Sequence, residues 1–281
     1  MNSTCTCRHK LLHLIYLVFC VLTLNACAGK GSTPAYSRDF GVFLGVSDED
    51  ICDRSRGYEL IVTDGQDIST ETVQKLKTDG HVVYGYLSIG SLESYRPYYD
   101  EFKGIALASY ENWPDEYWID VSDPAWQSFV VGTLAPDLIA RGFDGIFIDN
   151  TDVYYIYPTE AIYNGLKEVI TGISGLGLPI MINGGDPFVT RMIEEGNAGL
   201  IKSVSQESVF SRIEDYERDI FARQDQEETE YFKKYVENAA ENGIDVYLIE
   251  YSMDEAIRTE AEEYCANNGF HCFISESVRL D

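Results

Sequence analysis

The segment RGFDGIFIDNTDVY at residues 141–154 decides the fold of this 281-residue chain. A Gly-Phe-Asp-Gly turn leads into Ile146–Ile148, a run with no polar side-chain atom. Such a short apolar run is typical of a strand buried on both faces inside a parallel sheet. The polar segment DNTD follows at residues 149–152, and in a parallel α/β barrel that end of a strand faces the active-site mouth. The alternative is a buried strand whose Asp149 caps the next helix.

The chain around this segment alternates between apolar runs and helical patterns. This alternation predicts a parallel sheet, and the number of units favours a closed barrel over an open, doubly wound sheet. We therefore predict the α/β class and a single (β/α)8 TIM barrel over residues 38–281, a length that suits one such barrel. Nine candidate strands are present, so one of them must be misassigned or lie outside the barrel. They are Val42–Val46, Leu60–Thr63, Val82–Ser88, Tyr117–Val121, Gly145–Ile148, Pro179–Ile182, Leu200–Ser205, Val246–Glu250 and Cys272–Ile274.

Residues 1–26 have the pattern of a bacterial lipoprotein signal peptide. A basic start precedes an apolar run at residues 11–24, which is too short to span a bilayer. The run ends in Leu-Asn-Ala-Cys, which is similar to a lipobox with Cys27 as the lipidated first residue. We expect residues 27–37, which are small and polar, to tether the protein to the outer membrane or cell surface. The alternative is an ordinary signal peptide and a secreted protein.

Charge and residue usage exclude several functions. Without the leader, 19 basic residues face 47 acidic ones, so the formal net charge is −28 instead of the −26 of the whole chain. Such a body repels nucleic acid and anionic lipid and attracts cations, although solubility alone also explains an acidic balance. Only His81 and His271 remain, too few for a multi-histidine metal site or an obvious Ser-His-Asp triad. Cys265 and Cys272 could pair, but the sequence leaves that open.

Polar residues follow nearly every candidate strand, and parallel strands would bring them to one mouth. Two carboxylates that face each other there are what glycosidic cleavage needs. Asp144 precedes its strand, so we expect it at the opposite end in a structural role. Aromatic residues near the mouth could stack on sugars or simply cover the barrel rim. The polar residues include Asp64, Glu93, Arg96, Asp120, Asp149, Asn150, Asn183, Asp186, Gln206, Glu207, Glu250 and Tyr251.

Several blocks, in order, resemble glycoside hydrolase family 114, the endo-α-1,4-polygalactosaminidase family. They are YGYLSIGSLESYRP at residues 84–97, WPDEYWID at 113–120, GFDGIFIDNTD at 142–152, Gln206-Glu207, and Ile-Glu-Tyr at 249–251. The sequence departs from the family pattern at Ile182, where many members have Lys.

The resemblance implies that Asp149 is the nucleophile and Glu207 the general acid and base. It also implies an amino-sugar polysaccharide as substrate and no metal or organic cofactor. We expect a monomer whose only membrane contact is its lipid anchor. Two alternatives stay open: a catalytically silent polysaccharide-binding lipoprotein, and a lipoprotein scaffold that binds another protein. The residues implied to line the sugar site are Asp64, Glu93, Arg96, Asn150, Asp152, Asn183, Glu250 and Tyr251.

Overall fold

The computed structural model describes residues 37–281. The predicted signal peptide, the lipidation site Cys27 and nearly all of the predicted tether lie outside the described residues. Within residues 37–281, no helix is both long and apolar enough to cross a membrane.

Eight parallel strands form the central sheet, which runs in the order Arg38–Phe43, Tyr58–Asp64, Val82–Ser88, Gly145–Asp149, Ile180–Asn183, Ser203–Glu207, Asp245–Tyr251 and His271–Ser275. Phe40 and Phe43 of the first strand contact Phe273 of the last, with ring centroids 6.3 and 5.8 Å apart, so the sheet curls into a nearly closed barrel. This confirms the predicted TIM barrel. The strands are β1 (Arg38–Phe43), β2 (Tyr58–Asp64), β3 (Val82–Ser88), β4 (Ser91–Glu93), β5 (Ala106–Ser109), β6 (Glu116–Ile119), β7 (Gly145–Asp149), β8 (Ile180–Asn183), β9 (Ser203–Glu207), β10 (Ser211–Asp215), β11 (Ile220–Arg223), β12 (Asp245–Tyr251) and β13 (His271–Ser275).

Helices connect successive barrel strands, and side chains of the expected kind cap several of them. Ser69 accepts a hydrogen bond from the backbone N–H of Thr72, and Asp254 accepts from two N–H groups of the last helix, so orphan donors at these N-termini are satisfied. The helices are α1 (Ile51–Arg54), α2 (Thr70–Thr78), α3 (Tyr99–Phe102), α4 (Pro124–Phe129), α5 (Ala135–Arg141), α6 (Val153–Ile156), α7 (Glu160–Ser174), α8 (Asp186–Glu194), α9 (Gln226–Glu241) and α10 (Glu255–Asn268). A π-helical turn at Val130–Leu134 joins α4 to α5.

Of the nine candidate strands, the fourth, Tyr117–Val121, lies outside the barrel. It corresponds to β6, which pairs antiparallel with β4 and β5 in a separate sheet between β3 and β7. Asp120 therefore does not end a barrel strand. It accepts hydrogen bonds from the N–H and Oγ of Ser122, at 3.1 and 2.5 Å, in the turn before α4.

Two insertions extend the loops at the carboxyl end of the barrel. One is the β4-β5-β6 sheet after β3, and the other is the β10-β11 hairpin after β9. Asp144 lies at the opposite end, as predicted. Its carboxylate accepts from the N–H of Val83 at 3.0 Å and pairs with Lys77 at 2.8 Å. The two insertions thus stand on the same end of the barrel as the polar residues that follow the strands.

Candidate active site

A cleft of about 530 Å³ opens at the carboxyl ends of the barrel strands. Five barrel strands end in a residue whose side chain lines this cleft. These residues are Asp64, Asp149, Asn183, Glu207 and Tyr251. Glu93, Asn150 and Asp152 line it as well. The structure therefore brings together eight of the ten predicted catalytic and sugar-lining residues, whereas Arg96 and Glu250 lie behind the cleft wall.

Asn183 links Asp149 to Glu207. Its Nδ2 donates to Asp149 Oδ1 at 3.0 Å and to Glu207 Oε1 at 2.7 Å. The hydroxyl of Ser205 donates to Asn183 Oδ1 at 2.8 Å, which fixes the amide with its N–H groups toward the carboxylates. Since both oxygens bond to one nitrogen, their separation is at most the sum of the two distances, about 5.7 Å.

Tyr251 supports the second carboxylate. Its hydroxyl donates to Glu207 Oε2 at 2.7 Å, so each oxygen of Glu207 accepts one hydrogen bond. Hydrogen bonds to an ionised acceptor are the stronger ones, and they hold the side chain in one orientation. Glu207 is therefore fixed on two sides, by a strand-end amide and by a strand-end phenol.

Asp149 holds a proton more tightly than an ordinary carboxyl. Burial, followed by the negative charge of Glu207, raises the pKa of Asp149 to about 8, against the lowering effect of the hydrogen bond from Asn183. Burial also raises the pKa of nearby Asp152 to about 6, although Asp152 accepts from the N–H of Gly185 at 3.1 Å. At neutral pH the Asp149–Glu207 pair therefore retains a proton.

Asn150 is buried and fixes the loop after β7. Its backbone has φ +66°, a left-handed conformation that Asn tolerates better than most residues. Its Nδ2 donates to the hydroxyls of Ser88 and Ser91 at 3.0 and 2.9 Å. These bonds hold Asn150, the residue after Asp149, against the end of β3 and against β4. They therefore help to fix the backbone that carries Asp149.

Arg96 neutralises two of the cleft carboxylates from behind. Its guanidinium donates to Glu93 at 2.5 and 3.0 Å and to Asp64 at 3.2 and 2.8 Å, and its side chain is only 2% exposed. Tyr95, which is 60% exposed, donates to Glu93 at 2.6 Å. Such bidentate pairs have strong orientational preference. Arg96 therefore positions Asp64 and Glu93, whereas the family resemblance implied that it lines the sugar site.

Glu250 also differs from its predicted role. It is fully buried and accepts from the N–H groups of Val209, Phe210 and Ser211 at 2.9, 3.0 and 2.9 Å, and from the Ser211 hydroxyl at 2.5 Å. Burial raises the pKa of Glu250 to about 7. Both of its oxygens accept hydrogen bonds from residues at the start of the β10-β11 hairpin. Glu250 therefore supports this insertion, whereas the resemblance implied that it contacts sugar.

The two insertions contribute further cleft residues. The sequence had suggested Trp113 as an aromatic residue near the mouth but had not identified Tyr110, Glu116 or Tyr216. Glu116 of β6 accepts from Ser91 Oγ at 2.9 Å, and burial followed by the charge of Glu93 raises the pKa of Glu116 to about 7. Tyr110 packs on Trp118 with centroids 4.1 Å apart. The rings of Trp113 and Tyr216 meet at 6.2 Å, which joins one insertion to the other. The block WPDEYWID was the available signal for Glu116, since it resembles a family motif.

Within residues 37–281, no group of three or more His, Cys, Asp or Glu side chains is arranged to hold a metal ion. Cys52, Cys265 and Cys272 are free in this part of the chain, so the possible Cys265–Cys272 bond is not formed in the structure.

The family model described as Glycoside-hydrolase family GH114 matches residues 22–276. An uncharacterized protein of Deinococcus radiodurans is 30% identical over 106 residues, 34% of each chain. One of Thermotoga maritima is 25% identical over 175 residues, 53% of this chain and 52% of that one. The chain thus spans between a third and about half the length of these curated relatives.

Two solved structures have a similar fold. The glycoside hydrolase domain of PelA from Pseudomonas aeruginosa has a TM-score of 0.71 at 18% identity, covering 86% of this chain and 96% of that one. Aspergillus fumigatus Ega3, solved in complex with galactosamine, has a TM-score of 0.68 at 17% identity, covering 89% and 94%. Because the family model covers most of the sequence, and the barrel carries a facing carboxylate pair at its mouth, the chain belongs to glycoside-hydrolase family GH114.

Proposed function

We propose that the protein cleaves α-1,4-linked galactosamine-containing polysaccharide within the chain and with net retention at the anomeric carbon. In this proposal Asp149 is the nucleophile and Glu207 is the general acid and base. The observation that carries the proposal is the Asn183 amide, which donates to one oxygen of each carboxylate. Because one nitrogen donates to both acids, the two carboxyl groups are held close to each other at the mouth of the barrel.

The spacing of the two acids favours retention. Retaining glycosidases place their carboxyl groups about 5–5.5 Å apart, whereas inverting enzymes need about 6.5–9.5 Å to admit a water molecule. The bonded oxygens of Asp149 and Glu207 are no more than about 5.7 Å apart, as the two distances to Asn183 require. Since one oxygen of each acid is this close to the other, the pair can adopt the spacing of a retaining enzyme.

The proposed reaction has two steps. Glu207 donates its proton to the glycosidic oxygen while an oxygen of Asp149 attacks the anomeric carbon, so the leaving sugar departs as an alcohol and an ester forms. Glu207 then removes a proton from water, the water oxygen attacks the anomeric carbon, and Asp149 leaves as a carboxylate. Tyr251 and Asn183 hold Glu207 in place through both steps.

The proton of the resting pair must lie on Glu207 when the bond breaks. Without substrate, Asp149 has the raised pKa of about 8 and so holds it. A substrate ammonium group that lies closer to Asp149 than to Glu207 would favour the ionised form of Asp149 by Coulomb attraction. We therefore propose that a cationic substrate sets the protonation state on which its own cleavage depends.

The lining of the cleft supports an amino sugar as substrate. Six carboxyl groups line it: Asp64, Glu93, Glu116, Asp149, Asp152 and Glu207. Tyr95, Tyr110, Trp113 and Tyr216 add aromatic surface. An unacetylated galactosamine carries an ammonium group at neutral pH, and both Coulomb attraction and cation–π contact favour it here. Ega3, which has a similar fold, was solved with galactosamine. We propose that Asp64, Glu93, Asn150, Asp152, Asn183 and Tyr251 line the sugar site.

The direct test is incubation with partly deacetylated galactosaminogalactan, counting new reducing ends and following viscosity. Wild type should raise reducing ends and lower viscosity early, as internal cleavage requires, and Asp149→Asn should do neither. Full N-acetylation of the polymer should weaken cleavage because it removes the ammonium groups. Added salt should weaken it as well, since exposed charges are screened over roughly 10 Å at 0.1 M. Equal activity on the acetylated polymer would contradict the proposed substrate.

A further inference from the structure

Beside the cleft lies an exposed corner with two aromatic rings. Tyr155 and Ile156 of α6 are 67% and 45% exposed, and Tyr231 of α9 is 51% exposed. Single exposed apolar side chains are common on protein surfaces, whereas adjacent ones more often mark a contact site. The helices that carry the two tyrosines, α6 and α9, both contact α8, whose first residue, Asp186, accepts a hydrogen bond from the Tyr231 hydroxyl. We call Tyr155, Ile156, Asp186, Glu228 and Tyr231 the distal corner.

The distal corner is joined directly to the cleft. Tyr231 donates a hydrogen bond to Asp186, the first residue of α8. The preceding residue, Gly185, donates its N–H to Asp152 at 3.1 Å, and both Asp152 and Gly184 line the cleft. Tyr235, one helical turn after Tyr231, donates to the carbonyl of Gly184 at 3.3 Å. The corner and the cleft therefore share the turn between β8 and α8.

The charge of the corner suits a cation. Asp186 accepts a hydrogen bond from the Tyr231 hydroxyl, and Glu228 lies three residues before Tyr231 on α9. Neither carboxylate forms an ion pair with a Lys, Arg or His side chain in the part of the chain that the structure describes. Exposed tyrosine faces next to unpaired carboxylates offer an ammonium-bearing sugar both cation–π contact and Coulomb attraction.

The cleft cannot contain a long substrate. Its volume of about 530 Å³ lies within the range of pockets that hold one small ligand. A polymer that reaches Asp149 must therefore continue over the surface that surrounds the cleft. The distal corner belongs to this surrounding surface, because it contacts the turn between β8 and α8, which also lines the cleft.

We propose that the distal corner is a second binding site for the same polymer, where Tyr155 and Tyr231 stack on amino-sugar residues outside the cleft. This proposal rests on the proposed function, because it requires a substrate of many amino sugars. The site adds affinity for long chains and takes no part in the chemistry.

The test compares long and short ligands. In an Asp149→Asn background, calorimetry measures the Kd for partly deacetylated galactosaminogalactan and for an α-1,4-galactosamine disaccharide. Replacing both rings, Tyr155→Ser with Tyr231→Ser, should weaken polymer binding by about 5- to 30-fold, the effect of two exposed cation–π contacts. Disaccharide binding should not change. Tyr155→Phe with Tyr231→Phe should retain polymer affinity, since the rings remain.

Leu176→Ser is the matched control, because Leu176 is also exposed but precedes β8 at the other end of the barrel. Unchanged polymer binding in the double Ser variant would overturn the second site, and so would equal losses for polymer and disaccharide. The same substitutions in the active enzyme separate the two proposals. If wild type does not cleave the polymer, the proposed function fails. If wild type cleaves it and the double Ser variant has the same KM for polymer, only the second site fails.

Discussion

The Asn183 amide offers a direct test of how the carboxylate pair is controlled. Asn183→Leu removes the N–H groups that bond to Asp149 and Glu207 but keeps a side chain of similar size. The hydrogen bond from Asn183 lowers the pKa of Asp149, so its loss should raise that pKa above the present value of about 8. The variant pair should then keep its proton to a higher pH.

The size of the change follows from the bond that is lost. A hydrogen bond to a charged group contributes about 1.5–3 kcal/mol, and one pKa unit corresponds to about 1.36 kcal/mol. The pKa of Asp149 in Asn183→Leu should therefore rise by about one to two units. The singly protonated pair is the active form in the proposed mechanism, so wild-type kcat/KM should fall above about pH 8, and that fall should move upward in the variant. Its maximum should be lower, by roughly 100-fold, because the acids are less well positioned.

The assay is kcat/KM against pH, measured for both proteins on the same polymer so that titration of the substrate amine cancels in their ratio. The ratio of variant to wild type should increase above about pH 8. Ser205→Ala is the control, since it removes the hydroxyl that donates to Asn183 Oδ1 and leaves the Asn183 amide in place. The pH at which kcat/KM falls should move less in this variant than in Asn183→Leu. A ratio that is constant with pH, or that falls, would refute this account of the pair.

Further outcomes are expected for the catalytic pair, for the pH dependence of stability, for Glu250 and for the lipid anchor. Asp149→Asn should abolish turnover with the fold intact, and Glu207→Gln should slow both steps with partial rescue by azide; first-released product of inverted configuration would contradict retention. The Tm should fall as the pH rises from about 5 to about 8. Asp149 and Glu116 have raised pKa values in the folded state, so the folded protein binds protons more tightly than the unfolded chain, and the free energy of unfolding decreases by up to about 1.4 kcal/mol per pH unit for each group. A rising Tm would contradict this. Glu250→Ala should lower the free energy of unfolding in urea by about 3–5 kcal/mol, since it leaves buried donors unpaired; a change below about 1 kcal/mol would refute its supporting role. Labelled palmitate should enter wild type and not Cys27→Ala, and equal labelling would remove the anchor.

The barrel was predictable because its strands have a strong local signal. Ile146–Ile148 is an uninterrupted apolar run and is almost fully buried in the structure. Tyr117–Val121 is also a short, mainly apolar run, although it contains Asp120, and Trp118 and Ile119 are also buried. What distinguishes it is its antiparallel pairing with β4 and β5, two short strands with no clear pattern of their own. The sequence could not predict that partner choice, so it yielded one strand too many.

The site was predictable where a residue ends a barrel strand and not where a distant loop decides its environment. Asp149, Asn183 and Glu207 meet because parallel strands end on one side of the barrel. Glu250 is next to the end of β12 and looks equivalent in sequence. It is buried because the N–H groups of residues 209–211, about 40 positions earlier, turn toward it. Glu116 was missed for the same reason, since it enters the cleft from an insertion.

The crowding of carboxyl groups at the mouth carries a cost that the proposed substrate would offset. Arg96 forms ion pairs with Asp64 and Glu93, and its charge also acts on Glu116. Within residues 37–281, Asp149, Asp152 and Glu207 form no ion pair with a Lys, Arg or His side chain. Burial, together with the charges of neighbouring carboxylates, raises the pKa values of Glu116, Asp149 and Asp152, so these groups hold protons more tightly than ordinary carboxyls. A neutral sugar would leave that state unchanged. An ammonium group would stabilise the ionised form of the carboxyl that it faces, and on Asp149 that form is the nucleophile. The charge that selects the substrate would thereby also prepare the catalytic pair.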